Sequence, residues 1–281
     1  MLNKNIKSPV NIPVSKIHPF EGNPYKVLDN DEMNNLIGSI QEQGILTPII
    51  IRPIENTDEY EVISGHSRLH ATVKAGMKEV PAFIYAVTRD EAAIMLVDSN
   101  LHREHILPSE KAFAYKLKLE AMKHQGITCG QVGHKSRDEI SDTDSGRQIQ
   151  RYIRLTYLIP ELLDLVDEEK IALTPAVELS YLTDEEQYAL LGSIEVEDRT
   201  PSLSQAVRFK KLSQTGNLSD DDIETIMQED KANQKPMFKV SMEKLQEIAP
   251  RVKDKDFEDF VLKACEHYYR YLLRQRDRDS R

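Results

Sequence analysis

The sequence predicts a small α+β domain, then an all-helical domain, then a short, mostly helical C-terminal piece. Three observations carry this. Strand-like and helix-like segments alternate from residue 11 to 100, only helical patterns follow Pro108, and a polar stretch from Glu229 to Pro236 separates what comes after. The expected divisions are residues 1–106, 107–228 and 229–281.

The first 28 residues are polar and hold Pro9, Pro13, Pro19 and Pro24, an extended segment with room for a strand at Asn11 to Ile17. Asp29 followed by Glu32 reads as a capping box. Met33, Leu36, Ile37 and Ile40 then share one helical face until Gly44. Pro48 to Arg52 and Glu59 to Ser64 read as two strands, His66 to Gly76 as a helix, and Val80 to Tyr85 as another strand. Thr88 with Glu91 is a second capping box, opening a helix to about Asn100.

Helices are expected over Pro108 to Gln125, Arg147 to Leu158, Pro160 to Glu168, Pro175 to Leu182 and Asp184 to Gly192, with two more at Thr200 to Gln214 and Ser219 to Gln228. Between Gln125 and Gly146 the pattern is interrupted. Phe257, Phe260, Val261, Ala264, Tyr268 and Leu272 form a last stripe, which suits either a helix folded on its own domain or a dimer seam.

Composition narrows the function. At 281 residues each domain can bury a core without staples. Cys129 and Cys265 form no CxxC pair, as expected in a reducing, cytoplasmic setting, and no membrane span or signal-peptide core is seen. With 37 basic and 47 acidic residues the net charge is −10, so any nucleic-acid contact must use a local basic face.

Ile63-Ser64-Gly65-His66-Ser67-Arg68 runs from a strand through glycine into a helix start. There the free N–H groups of the first turn, with Arg68 as a bidentate donor, suit a phosphate. Taken alone, an ordinary strand-to-helix turn with a solvated arginine is the commoner meaning of such a run. Another constellation lies on the predicted helix from Arg147. Arg147, Arg151 and Arg154 fall at i, i+4 and i+7, opposite Ile149, Tyr152, Ile153 and Thr156, and Gln148 and Gln150 flank them. Arginine and glutamine near a helix start reach base edges in the major groove, and Thr143-Asp144-Ser145-Gly146 supplies the turn before it. On spacing alone, three solvated arginines explain the pattern equally well. Ser136 to Ser141 is a short first helix for a helix-turn-helix.

His66 and His70 stand four apart, and His102 and His105 three apart, but without HExxH or a cysteine partner they make a poor zinc site. Glu185-Glu186 and Asp220-Asp221-Asp222 sit at helix starts, where they complement the dipole. There is no GxxxxGK[ST].

Ser64 to Ala71 (SGHSRLHA) resembles the glycine-arginine box of the ParB-like partition proteins, and Asn100 to Tyr115 (NLHREHILPSEKAFAY) resembles their second box. The order and spacing match from residue 12 to about 190. The resemblance implies a ParB/sulfiredoxin-like fold, a CTP and Mg2+ pocket, and a helix-turn-helix. By position, Gly65, His66, Ser67 and Arg68 would cradle the triphosphate, Thr47 and Pro48 would line the base side, and Asn100 would hold the metal. Arg103 and Glu104 would face the nucleotide or couple it to the helices beyond. Ser145, Arg147, Gln148, Gln150, Arg151 and Arg154 would meet DNA. No catalytic residue is assigned.

Chromosomal relatives usually carry Glu-Arg where this chain has His66-Ser67, and Glu where it has Ser99; Asp98 is the nearest carboxylate. These departures bear on hydrolysis more than on nucleotide binding. The function implied is that of a nucleoid-associated homodimeric partition protein of a plasmid or mobile element. It would bind a palindromic DNA site, use CTP as a clamp switch and work with a ParA-like ATPase. The alternatives are a nucleotide-dependent small-molecule kinase on the same fold, as in free-serine kinases, and a ParB-like transcription regulator without CTPase activity.

Overall fold

The computed structural model describes residues 8–103, 105–125, 144–229, 246, 249, 252 and 257–279. The chain divides into two compact units, Met1–Glu229 and Asp230–Arg281.

The first unit opens with a five-stranded mixed sheet. Its strands are β1 (Val10–Pro13), β2 (Ile17–His18), β3 (Ile49–Pro53), β4 (Tyr60–Ser64) and β5 (Glu79–Ile84). Their order across the sheet is β1-β5-β3-β4-β2. β1 runs antiparallel to β5 and β3 antiparallel to β4, whereas β3 with β5 and β2 with β4 are parallel. The expected strand at 11–17 is two strands joined by a 3-10 turn over Val14–Lys16. The β-branched run Ile49 to Ile51 pairs on both sides, so Ile49 and Ile51 are wholly buried.

Helices α1 (Asp31–Gln43), α2 (His66–Lys74) and α3 (Arg89–Asn100) complete this part. The cap of α1 is Asn30, whose Oδ1 accepts from Met33 N–H at 3.0 Å, and not Asp29. Asp29 is drawn off by Lys74 Nζ at 2.6 Å and His70 Nε2 at 2.8 Å, whose hydrogen bonds hold its carboxyl below the usual range. At α3 the Thr88 and Glu91 box forms as the sequence predicts.

Helix α4 (Pro108–His124) leads into α5 (Gly146–Leu155), α6 (Pro160–Asp167), α7 (Leu173–Leu179), α8 (Asp184–Glu197), α9 (Leu203–Gln214) and α10 (Asp220–Gln228). Several boundaries depart from expectation: α5 ends at Leu155, α7 at Leu179, and α9 begins at Leu203. α7 begins before Pro175, which sits within the first turn where its missing N–H costs nothing, and α8 passes through Gly192 to end at Asp198 in a left-handed conformation. Leu155, Leu162, Leu179, Leu190 and Phe209 form the buried centre of this helical core, which reaches Ala112 of α4.

Cys129, the expected first helix at Ser136 to Ser141 and Thr143 lie outside the described residues, as do most of the linker and residue 104. In the second unit α11 (Phe257–Asp279) is a single helix, exposed from Leu262 to Tyr271, with Tyr268 and Tyr271 stacked at 6.2 Å.

Candidate functional site

Gly65 ends β4 and caps α2 with φ of +100°, a left-handed conformation that an L side chain adopts with strain. A Cβ there would stand 2.8 Å from Ile49 Cγ2 on the neighbouring strand. The glycine therefore lets β4 turn sharply into a helix while the chain hugs the sheet. It leaves the first N–H groups of α2 facing an open cleft of about 200 Å³.

Ser64 to Arg68 form one wall of this cleft. Ser99, Asn100 and Arg103 at the end of α3 form a second, and Asn23 to Val27 a third. Among the described residues, Lys26, Arg68 and Arg103 are the charged side chains that line it, and none of the described lining residues is a carboxylate. In a chain of net charge −10, three cations around helical N–H groups make a local site for a polyanion.

Each side chain has an assigned job. Arg68 Nη1 donates to the carbonyls of Thr47 and, at 2.8 Å, of Pro48, so this arginine pins the loop before β3 to the start of α2. Burial lowers its pKa, yet a guanidinium stays charged, and its remaining N–H groups are left for a ligand. Thr47 and Pro48 are not among the residues lining the cleft; they reach it through Arg68.

His66 Nε2 accepts from Phe20 N–H at 3.4 Å, which places the ring proton on Nδ1. Burial, and then the Arg103 charge, push its pKa down to about 4, so it is neutral at pH 7. Glu61 works against that shift. Its Oε2 accepts from Arg52 Nε at 2.8 Å and lies 2.7 Å from Arg52 Nη2, a buried ion pair, and its Oε1 accepts from Glu21 N–H at 3.0 Å. Together His66 and Glu61 hold residues 20–21 onto the sheet, which delivers Asn23 to Val27 to the cleft.

Asn100 Nδ2 donates to the Leu96 carbonyl at 2.8 Å and to Ser99 Oγ at 3.2 Å. Its Oδ1 accepts no hydrogen bond among the described residues and is the amide atom available to a donor or a hard cation. Mg2+ takes oxygen ligands and is commonly held by one or two protein groups with phosphates and water, so this donor fits it. Asp98 does not compensate for Ser99: its carboxylate binds Lys118 on α4 at 2.5 Å. Among the described residues no group of three or more His, Cys, Asp or Glu side chains could hold a metal; His66 and His70 have separate partners. Glu104 lies outside the described residues.

The segment Pro108-Ser109-Glu110 ties the cleft to the helical core. Glu110 accepts from Lys26 N–H at 2.9 Å and from Leu107 N–H at 3.3 Å, while Ser109 N–H donates to Asp167 of α6 at 2.9 Å. One turn further on, Tyr115 and Lys111 both donate to Asp144, just ahead of α5. A single helix start thus holds the cleft, α6 and the entry to α5.

Along α5, Ser145 Oγ accepts from Gln148 N–H as the cap, and Ile149 and Leu155 are buried. Arg147 is exposed. Arg151 reaches Thr174 Oγ1 of α7 at 2.5 Å, and both arginines border a groove between α5 and α7 of about 320 Å³. Gln150 is half-buried. Arg154 stands differently from the other two. Its Nη2 donates to the Ser180 carbonyl at 2.7 Å, and its guanidinium lies 3.9 Å from the Tyr181 ring centre and 4.5 Å from that of Tyr157. It joins α5 to the end of α7.

Sequence reasoning missed Asn23, Tyr25 and Lys26, because nothing in an extended polar segment reveals that it folds against residues forty positions away. A lysine just ahead of a helix was the available signal.

Residues 2–101 match a family model described as the ParB N-terminal domain. The chain is 32% identical over 162 residues to the chromosome-partitioning protein Spo0J of Thermus thermophilus, covering 58% of this chain and 56% of that one. It spans about half the length of the curated relatives it matches. Among solved structures it is similar to C-terminally truncated chromosome-partitioning protein ParB of Caulobacter crescentus. The complex with the centromeric parS site has 19% identity and a TM-score of 0.42 over 78% of this chain and 98% of that one. The complex with CTP-gamma-S has 21% identity and a TM-score of 0.33 over 67% and 99%.

Proposed function

We propose, from the match of residues 2–101 to the ParB N-terminal domain, that the protein is a DNA-binding partition protein of a plasmid or mobile element whose cleft binds CTP. The observation that carries the nucleotide reading is the cleft itself: helical N–H groups released by a left-handed Gly65, with three cations around them.

In this reading the N–H groups of His66 and Ser67, with Arg68, Arg103 and Lys26, hold the triphosphate. Asn100 Oδ1 would hold Mg2+, which neutralises phosphate charge when bound. His66, kept neutral, adds no charge of its own and shapes the wall by anchoring Phe20. Arg147 and Arg151 read bases beside the α5–α7 groove, with Ser145, Gln148 and Gln150 at the same helix start. Arg154 supports that helix through Ser180. The start of α4 links the two sites.

The wider scheme follows the family's way of working. A homodimer loads at a palindromic site in the nucleoid, CTP closes the N-terminal domains into a clamp, hydrolysis reopens it, and a ParA-like ATPase is the motor partner. The departures at His66, Ser67 and Ser99 from chromosomal relatives favour a plasmid or mobile-element role. The exposed aromatic side chains of α11 suit the dimer seam.

The test is binding and turnover of radiolabelled CTP, with ATP, GTP and UTP as controls, with and without DNA bearing palindromic repeats of the host element. Selective CTP binding stimulated by one DNA is the expected result. ATP turnover indifferent to DNA would instead make the protein a kinase, and DNA binding without any nucleotide would make it a regulator.

A further inference from the structure

Lys26 belongs to two places at once. It lines the cleft beside Arg103, and its Nζ stands 3.7 Å from Asp164 Oδ1 and 3.7 Å from Asp167 Oδ2, both on α6 of the helical core. At that separation neither carboxylate makes a hydrogen bond with the ammonium, and half of the lysine side chain is exposed, so the hold is weak. Asp167 is already satisfied by the N–H and hydroxyl of Ser109. Asp164 is exposed and has no other hydrogen-bond or ion-pair partner among the described residues.

We infer that Lys26 is a phosphate ligand shared with α6: a polyphosphate in the cleft and the Asp164/Asp167 pair compete for the same ammonium. This rests on reading the cleft as a triphosphate site and adds a regulation to it. A phosphate oxygen offers a charge-assisted hydrogen bond that the two distant carboxylates do not, so a bound triphosphate draws Lys26 away from α6. The side chain can swing without moving the backbone, because Lys26 N–H stays bonded to Glu110 Oε1 at 2.9 Å. Once Lys26 leaves, the charges of Asp164 and Asp167 lose their cation, and Ser109 with the apolar packing of α4 remains to tie α6 to the cleft. By reciprocity, whatever strengthens the Lys26 pairing with α6 weakens triphosphate binding.

The test is calorimetric titration of the full chain with CTP and with inorganic triphosphate at about 0.1 M salt. Asp164→Asn removes the competitor and should tighten both ligands two- to five-fold, the range of an exposed ion pair. Lys26→Ala should weaken both by about tenfold, and Asp164→Asn should then have no effect in the Lys26→Ala background. In wild type, hydrogen exchange over residues 160–167 should rise when CTP is added. Wild-type binding with Asp164→Asn unchanged overturns the competition and leaves the cleft reading standing. Failure of wild type to bind either ligand overturns the cleft reading, and the competition with it.

Discussion

At the scale of single residues, Gly65 and His66 set the conditions of the cleft. Gly65→Ala combines a positive φ with a Cβ 2.8 Å from Ile49, so unfolding in urea should show a loss of about 1–3 kcal/mol. Unchanged stability would mean that β4 reaches α2 by another turn. His66 predicts a pH dependence with a definite sign. Unfolded, it takes a proton near 6.5; folded, it resists until about 4, so the unfolded chain binds more protons between those values. Stability should fall as pH drops from about 6.5 to about 4, by about 3 kcal/mol from this group. His66→Gln should flatten that part of the profile. Arg68→Ala should abolish CTP binding and leave specific DNA binding largely intact. Arg68→Lys should not restore it, since an ammonium cannot bridge two carbonyls and still present a planar donor edge to phosphate. The glycine and arginine were legible in the sequence because φ > 0 and a bidentate donor each demand a particular residue type. The neutrality of His66 was not, since it arises from burial in the fold and from the charge of Arg103, thirty-seven positions away in sequence.

At the scale of elements, α5 shows how far periodicity carries. The i, i+4, i+7 spacing places Ile149 correctly in the core, but Tyr152, Ile153 and Thr156 are only half-buried and Leu155, four residues after Arg151 on the expected arginine side, is buried, because α6 to α9 pack against that side as well. Spacing could not tell that Arg154 meets Ser180 and two tyrosines, because those partners arrive from α7 and from the turn after α5 itself. The three arginines should therefore separate by experiment. Arg147→Ala and Arg151→Ala should each cost about 1–3 kcal/mol on the specific DNA site and little on random DNA, read by fluorescence anisotropy. Arg154→Ala should lower the unfolding midpoint and weaken specific and random DNA alike. The caps divide in the same manner. Thr88 with Glu91 forms its box with no competing partner for either side chain among the described residues, whereas Asp29 is claimed by His70 and Lys74 on α2, which no local pattern around residue 29 reveals.

At the scale of the molecule, a chain of net charge −10 carries two small cationic places, the cleft and the start of α5, joined by the first turns of α4. Raising salt from 50 to 200 mM should weaken specific DNA binding with a slope of about −0.9 per phosphate contact, and random DNA should hardly bind. The sheet carries a different consequence. β1 and β2 stand at its opposite edges, yet only Val14–Lys16 separates them in sequence. Four strand spacings laid flat would put the edges about 19 Å apart, whereas the four peptide links from Pro13 to Ile17 reach at most about 14 Å. The sheet must therefore curl until its margins approach each other, and one nine-residue ribbon, Val10 to His18, fastens both. Removing that ribbon would unfasten the two margins together, leaving the backbone of β5 and β4 open to strands from other molecules. A chain begun after residue 18 should aggregate as it folds, where one begun at residue 8 stays dispersed.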